Sequence, residues 1–208
     1  FAAYQQLKNV GYTAAYDQQM NFYHTFNKKL LAERIARWAL ATQYGLNIGH
    51  QPAVLVSHEI KGTGIELTFD REVVQLYENK RPIVGMAIAG EDRHFYPAKV
   101  SFFVKDKDQH KRDVLDFTRL VVSNELVPQP AAVRYAWAQN PLGNLGNRAH
   151  HERMIPVPTF RTDAWPIPFG PESKVADNNA FNKLRQEAEQ QTKKRKKLEA
   201  ELLYKQTR

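Results

Sequence analysis

Few residues in this 208-residue chain could do chemistry: it has seven histidines, only four serines and no cysteine. The lack of cysteine removes disulfides, thiolate metal sites and a cysteine nucleophile together. The serines, Ser57, Ser101, Ser123 and Ser173, stand in no Gly-x-Ser-x-Gly elbow and no Gly-Asp-Ser or Gly-Gln-Ser turn. The chain therefore shows no recognisable serine nucleophile. His150 and His151 are adjacent, which points them apart, and neither HExxH nor paired CxxC occurs, so no metal site is indicated and no cofactor is expected. The GTG at Gly62 to Gly64 and the GNLGN near Asn147 lack the strand-to-helix context of a phosphate cradle. His24 has a more informative setting. It lies in YDQQMNFYHTFNKKLLAERIARWAL, Tyr16 to Leu40, just before a helix pattern, with Asp17 and Asn21 upstream. A histidine so placed is a candidate general base, and an upstream carboxylate or amide could orient its imidazole. The plainer alternative is a polar residue near a helix cap.

The elements around it can be read from periodicity. A helix is expected from about Thr25, capped by Thr25 or Asn27, whose short side chains can accept from free backbone N–H groups. Leu31, Ile35, Trp38, Ala39 and Thr42 recur at spacings of three and four, an apolar stripe that puts Trp38 in a core. Gly45 is a natural stop. GYTAA, Gly11 to Ala15, reads as the end of a strand.

From about Leu46 to Pro141 the chain breaks into short runs rich in Val, Ile, Phe and Tyr: PAVLVSH, GIELTF, PIVGMAIAG, KVSFFV, RLVVS and AAVRYAWA. Regular strands with turn signals and no helical pattern between them predict a β-sandwich rather than a parallel βαβ sheet. Alternation in the last run places Arg134 and Ala136 on one side and Tyr135 and Trp137 on the other, toward the core, with a sugar platform as the alternative. Glu91 and Asp92 read as turn residues, and Arg161 with Asp163 as an ion pair or loop anchor, with a role near the active site as the alternative. NPLGNLGN has loop chemistry. PVPTFRTDAWPIPFGP reads as an extended segment running over a surface, and from about Asp177 the composition turns helical.

The formal charge is +8. From Glu172 to Arg208 ten Lys/Arg face six Asp/Glu, so 10 − 6 = 4 of that excess lies in the tail, densest at KKRKK, Lys193 to Lys197. Interleaving with Glu187, Glu189, Glu199 and Glu201 favours a solvated helix over a nucleic-acid arm. No apolar run approaches the roughly 20 residues needed to cross a bilayer, so neither membrane nor nucleic acid is expected as a partner.

Four phrases carry a resemblance. YHTFNKKLLAERIARWALATQYG (Tyr23 to Gly45), GMAIAGEDRHFYPAKV (Gly85 to Val100), AAVRYAWAQNPLGNL (Ala131 to Leu145) and PTFRTDAWP (Pro158 to Pro166) occur in the order and spacing of the sialate O-acetylesterase family. The chain resembles the C-terminal portion of that family over about Asp17 to Pro166. The family consists of carbohydrate esterases with an SGNH-type α/β hydrolase domain. The resemblance implies an α/β plus β architecture: residues 1–47 as the end of the SGNH domain carrying the catalytic histidine, 48–170 as a β-sandwich-like domain with a proline-rich extension, and 171–208 as a charged helical tail. It implies a carbohydrate O-acetylesterase acting on sialic acid or another acetylated glycan. The nucleophilic serine would lie upstream or in a second chain, and the location would be secreted or periplasmic, lysosomal in a eukaryote. His24 would take the serine proton and return one to the departing sugar oxygen. Asn21 stands where these enzymes commonly have aspartate, and Thr25 where they have proline. Asn21 could fix the imidazole tautomer without offsetting its charge, and Asp17 could serve if the chain folds back. A catalytically weakened or inactive relative, kept for glycan binding or assembly, is the alternative.

Overall fold

The computed structural model describes residues 6–18, 27–76, 82–138, 141–152 and 154–166, and these are mostly β-sheet with one helix. Asn21, His24, Thr25 and the charged tail lie outside the described residues.

Helix α1, Lys28–Thr42, begins where Asn27 Oδ1 accepts from the Leu30 N–H at 3.0 Å. Past its end, Gly45 takes φ +70°, and the Leu46 N–H donates to the Leu40 carbonyl at 3.0 Å. The apolar stripe does not seek the core as its spacing predicts. Ile35 is 53% exposed, Trp38 is half-buried over Gly11, and the buried residue of α1 is Arg34. Periodicity scores apolar side chains and so cannot register a cation buried by its partners. The GYTAA segment forms no strand; Gly11 lies against α1, with a Trp38 ring carbon 2.7 Å from where a Cβ on Gly11 would stand.

The described strands, in chain order, are β1 (Leu55–Lys61), β2 (Gly64–Phe69), β3 (Val73–Gln75), β4 (Met86–Ala89), β5 (Tyr96–Pro97), β6 (Lys99–Lys107), β7 (Asp113–Ser123), β8 (Ala132–Tyr135), β9 (Leu145–Asn147) and β10 (Phe160–Arg161). They form an antiparallel sheet β1-β2-β7-β6, a second antiparallel sheet β10-β8-β4-β5, and the pair β3-β9. Alternation decides the core. Ile65, Leu67 and Phe69 of β2 and Leu120 and Val122 of β7 pack with Met86 and Ile88 of β4 and Val133 and Tyr135 of β8 in one buried cluster. Each fully buried Ile or Leu side chain contributes about 1.5–3 kcal/mol.

Two segments with loop-like composition turn out to be core. Leu145–Asn147 is a fully buried strand, not a loop. The Val157 N–H donates to the Leu145 carbonyl at 2.9 Å and the Asn147 N–H to the Ile155 carbonyl at 3.0 Å. Gly146 is required there, since a Cβ would lie 2.1 Å from Leu76 Cδ2 and 2.8 Å from the Ile155 carbonyl. The proline-punctuated segment likewise does not run over a surface: Pro156 and Val157 are fully buried, and Phe160 and Arg161 pair with β8. Prolines deter regular strands, but they do not prevent burial.

Trp137 is not core either; it is 42% exposed, while Tyr135 is fully buried. The alternation fails because Ala136 takes φ +48° and its N–H donates to the Gly85 carbonyl at 2.9 Å. That left-handed residue packs Ala136 beside Tyr135 in the core and ends the strand before Trp137.

Candidate active site

Among the sequence candidates, Asp17 is described, and it is anchored. Tyr16–Gln18 form a short 3-10 turn just ahead of the stretch that holds Asn21 and His24. Asp17 faces Arg34 of α1 as a two-pronged pair: Nη1 to Oδ1 at 2.8 Å and Nη2 to Oδ2 at 2.5 Å. Both side chains are buried, at 1% and 3% exposure. Planar guanidinium and carboxylate match in shape, so the pair fixes orientation as well as charge. Gln18 Nε2 also donates to Asp17 Oδ2, at 2.8 Å.

Arg34 reaches further. Its Nη1 donates to the Ala14 carbonyl at 2.6 Å and its Nε to the Met154 carbonyl at 2.5 Å. One side chain thus ties α1, the segment before it and the segment after β9. A buried cation is tolerable only with such compensation.

Tyr16 makes the second anchor. Its hydroxyl donates to the Val157 carbonyl and lies 3.1 Å from the Tyr135 hydroxyl, and the two rings meet edge to face at 5.9 Å. Because Tyr16 spends its single proton on Val157, Tyr135 donates to Tyr16 and accepts the Leu145 N–H at 2.8 Å. Burial pushes the Tyr16 hydroxyl well above its ordinary pKa, with Tyr135 and Asp17 adding to the effect. Burial raises Tyr135 too. Both stay neutral at physiological pH and act as structural hydrogen-bonding groups. The stretch holding Asn21 and His24 is therefore entered from a turn pinned at Tyr16 and Asp17, and it leads into a helix capped by Asn27.

A second constellation lies on the outer face of the second sheet. Arg134 of β8 bonds Asp163 through Nε at 2.9 Å and Nη2 at 3.1 Å, and its guanidinium carbon sits 4.1 Å from the centre of the Phe95 ring. Arg161, opposite Arg134 in the strand register, approaches the same carboxylate at 3.5 Å. The expected Arg161–Asp163 pair is present, but Arg134 is the closer partner. Burial alone would raise the Asp163 carboxyl; hydrogen bonding and charge from Arg134, with the charge of Arg161, outweigh it and hold the group below the usual carboxylate range. Sequence reasoning did not join Arg134 to Asp163, although R-Y at 134–135 and R-T-D at 161–163 each stood in a quoted phrase.

A third feature is an open polar groove of about 510 Å³ lined by Arg71, Glu72, Asn147, Arg148, Ala149 and Glu152. Its side chains are mutually engaged: Arg148 pairs with Glu72 at 2.9 Å, and Asn147 Nδ2 donates to Glu152 at 2.8 Å. Among the described residues no group of three or more His, Asp and Glu side chains could hold a metal ion, and no helix is long and apolar enough to cross a membrane.

No protein-family model and no curated protein matches the chain. Among solved structures, the chain is similar to a carbohydrate acetylesterase from Xanthomonas citri, with 30% sequence identity and a TM-score of 0.58. The match covers 72% of this chain and 31% of that enzyme, so this chain spans about a third of the length of the esterase it resembles.

Proposed function

We propose that this chain is the histidine-bearing portion of a carbohydrate O-acetylesterase. The observation that carries the reading is the 30% identity to a carbohydrate acetylesterase over 72% of the chain, together with a shared fold. In this reading an acetylated carbohydrate is the substrate, with sialic acid as one member of the class. A serine supplied by an upstream segment or a second chain attacks the acetyl carbonyl. His24 accepts the serine proton, protonates the departing sugar oxygen, and then activates the water that clears the acetyl-enzyme. Residues 1–47 would close an SGNH-type domain, and the sheets would support it. The enzyme would work outside the cytoplasm.

The anchoring of Asp17 bears on the acid member. With both carboxylate oxygens held by Arg34, Asp17 serves this reading best by fixing where the His24 stretch begins. Asn21 is then the residue left to orient the imidazole. An amide can select the tautomer but cannot offset the imidazolium charge, which favours a slower enzyme or the weakened, glycan-holding relative. Acetate release from an O-acetylated oligosaccharide, with the serine-bearing portion supplied, tests this. Asn21→Asp raises the rate if Asn21 is the orienting residue. No change from Asn21→Asp or Asn21→Ala rejects that role.

A further inference from the structure

Helix α1 is built inside out. A lone exposed apolar side chain means little, since folded surfaces carry many. Here the reversal is systematic. Arg34 is buried, and the half-buried Arg37 donates through Nε to the Gly49 carbonyl at 2.8 Å. Ala32, Ile35, Ala36 and Leu40 stand on the other side of the helix and are exposed, Leu40 by 40%. Their spacing of three, one and four puts them on one stripe. The stripe continues past the helix end: the Leu46 N–H donates to the Leu40 carbonyl, and Leu46 is exposed too. Lys29 and Glu33, paired at 3.8 Å, form a polar rim beside it. Burying a cation is costly, and so is leaving an aliphatic stripe in water, so this arrangement suits a helix whose outer side is covered.

We infer that this stripe is the surface on which the serine-bearing portion of the enzyme docks. Two observations choose that occupant. The first is position: α1 follows the His24 stretch directly, with Asn27 as its cap. A general base works within about 2.6–3.2 Å of the group whose proton it takes, so the polypeptide that carries the serine must meet this chain beside α1. The second is size: this chain spans about a third of the length of the esterase it resembles, which leaves a large partner surface in an enzyme of that kind. The inference rests on the acetylesterase reading and deepens it. It names the face that meets the serine-bearing portion, and it requires an apolar surface on that portion opposite Ile35 and Leu40.

The chain has no cysteine, so one thiol introduced by substitution reports on its own surroundings. Ala36→Cys is labelled with a maleimide in the 208-residue chain alone and with the serine-bearing portion added. Ser57→Cys, exposed on β1, is the control. The added portion should slow labelling of Ala36→Cys about tenfold or more and leave Ser57→Cys unchanged. Ile35→Glu should raise the concentration of that portion needed for half-maximal acetate release about tenfold or more, because it puts a charge in an apolar contact, while the saturated rate is kept. Val56→Glu, at a comparably exposed apolar position on β1, should not. Both variants should unfold at the wild-type denaturant midpoint; a lowered midpoint for Ile35→Glu would show that the stripe serves this chain's own fold and overturn the inference. Slow labelling of Ala36→Cys in the dilute chain alone would mean that the chain covers this face itself. Slowing as the chain is concentrated would mean that a second copy does. Either overturns the inference, as does equal labelling with and without the serine-bearing portion. If Ala36→Cys stays open while acetate release depends on His24, only the docking surface is rejected. If labelling and Ile35→Glu behave as stated while His24→Ala keeps the rate, the surface stands and the catalytic reading falls.

Discussion

Among the described residues, two buried arginine–aspartate pairs join separate elements, and they are built differently. Arg34 and Asp17 join the helix to the turn before the candidate catalytic stretch, and Arg34 also takes the carbonyls of Ala14 and Met154. Its polar capacity is turned inward, on backbone and on one carboxylate. Arg134 and Asp163 sit on the second sheet, where Arg161 shares the carboxylate and the Phe95 ring lies against the Arg134 guanidinium. The first pair is a clamp between one cation and one anion; in the second, two arginines approach one carboxylate. The same two residue types pair one to one in one place and share a carboxylate between two arginines in the other.

Removing each member breaks or sharpens this contrast. The largest loss should follow Arg34→Ala, about 3–5 kcal/mol in denaturant unfolding, because it strands a buried carboxylate and two carbonyls. Asp17→Ala should cost nearly as much, and the double variant less than the sum. Additive losses would mean that the two side chains do not act as a pair. Arg134→Ala should cost less, about 1.5–3 kcal/mol, since Arg161 remains beside Asp163. A cost matching that of Arg34→Ala would remove the distinction between the two sites. Tyr135→Phe deletes an acceptor for the Leu145 N–H and the partner of Tyr16, and should cost about 1–3 kcal/mol. Arg161→Ala should be the mildest, under about 1 kcal/mol.

Acid should separate the second pair on its own. The Asp163 carboxyl is depressed in the folded state, so its contribution is complete above the ordinary aspartate pKa of about 4 and is lost as pH falls through the lower folded value. Asp163→Asn should flatten that part of the stability–pH curve measured by urea unfolding. An unaltered acid limb would show that Asp163 does not report there.

Much of the sheet structure was legible. GIELTF alternates between turn signals and forms β2 over those six residues, Gly64–Phe69. KVSFFV opens β6 at Lys99. Two of the misses share a cause: burial by partners distant in sequence. Arg34 is inside because Asp17, Ala14 and Met154 receive its donors, and no helical periodicity encodes that. Leu145–Asn147 is a strand because Val73–Gln75 pair with it and residues 155–157 bond to it as well, although Asn and Gly suggest a turn. Trp137 is outside because one alanine takes a left-handed backbone. At the candidate site, the sequence named Asp17, Asn21 and His24, of which Asp17 is among the described residues. It did not foresee that Asp17 is held by an arginine four positions before the tryptophan that the apolar stripe had favoured.

The central claim is that His24 is the general base of a carbohydrate acetylesterase. The most direct measurement is the initial rate of acetate release from an O-acetylated oligosaccharide, with the serine-bearing portion supplied, for the wild-type protein and His24→Ala. Loss of a positioned base should lower kcat by about 10²–10⁴-fold with the fold intact by circular dichroism. A His24→Ala protein that releases acetate at close to the wild-type rate would contradict the account.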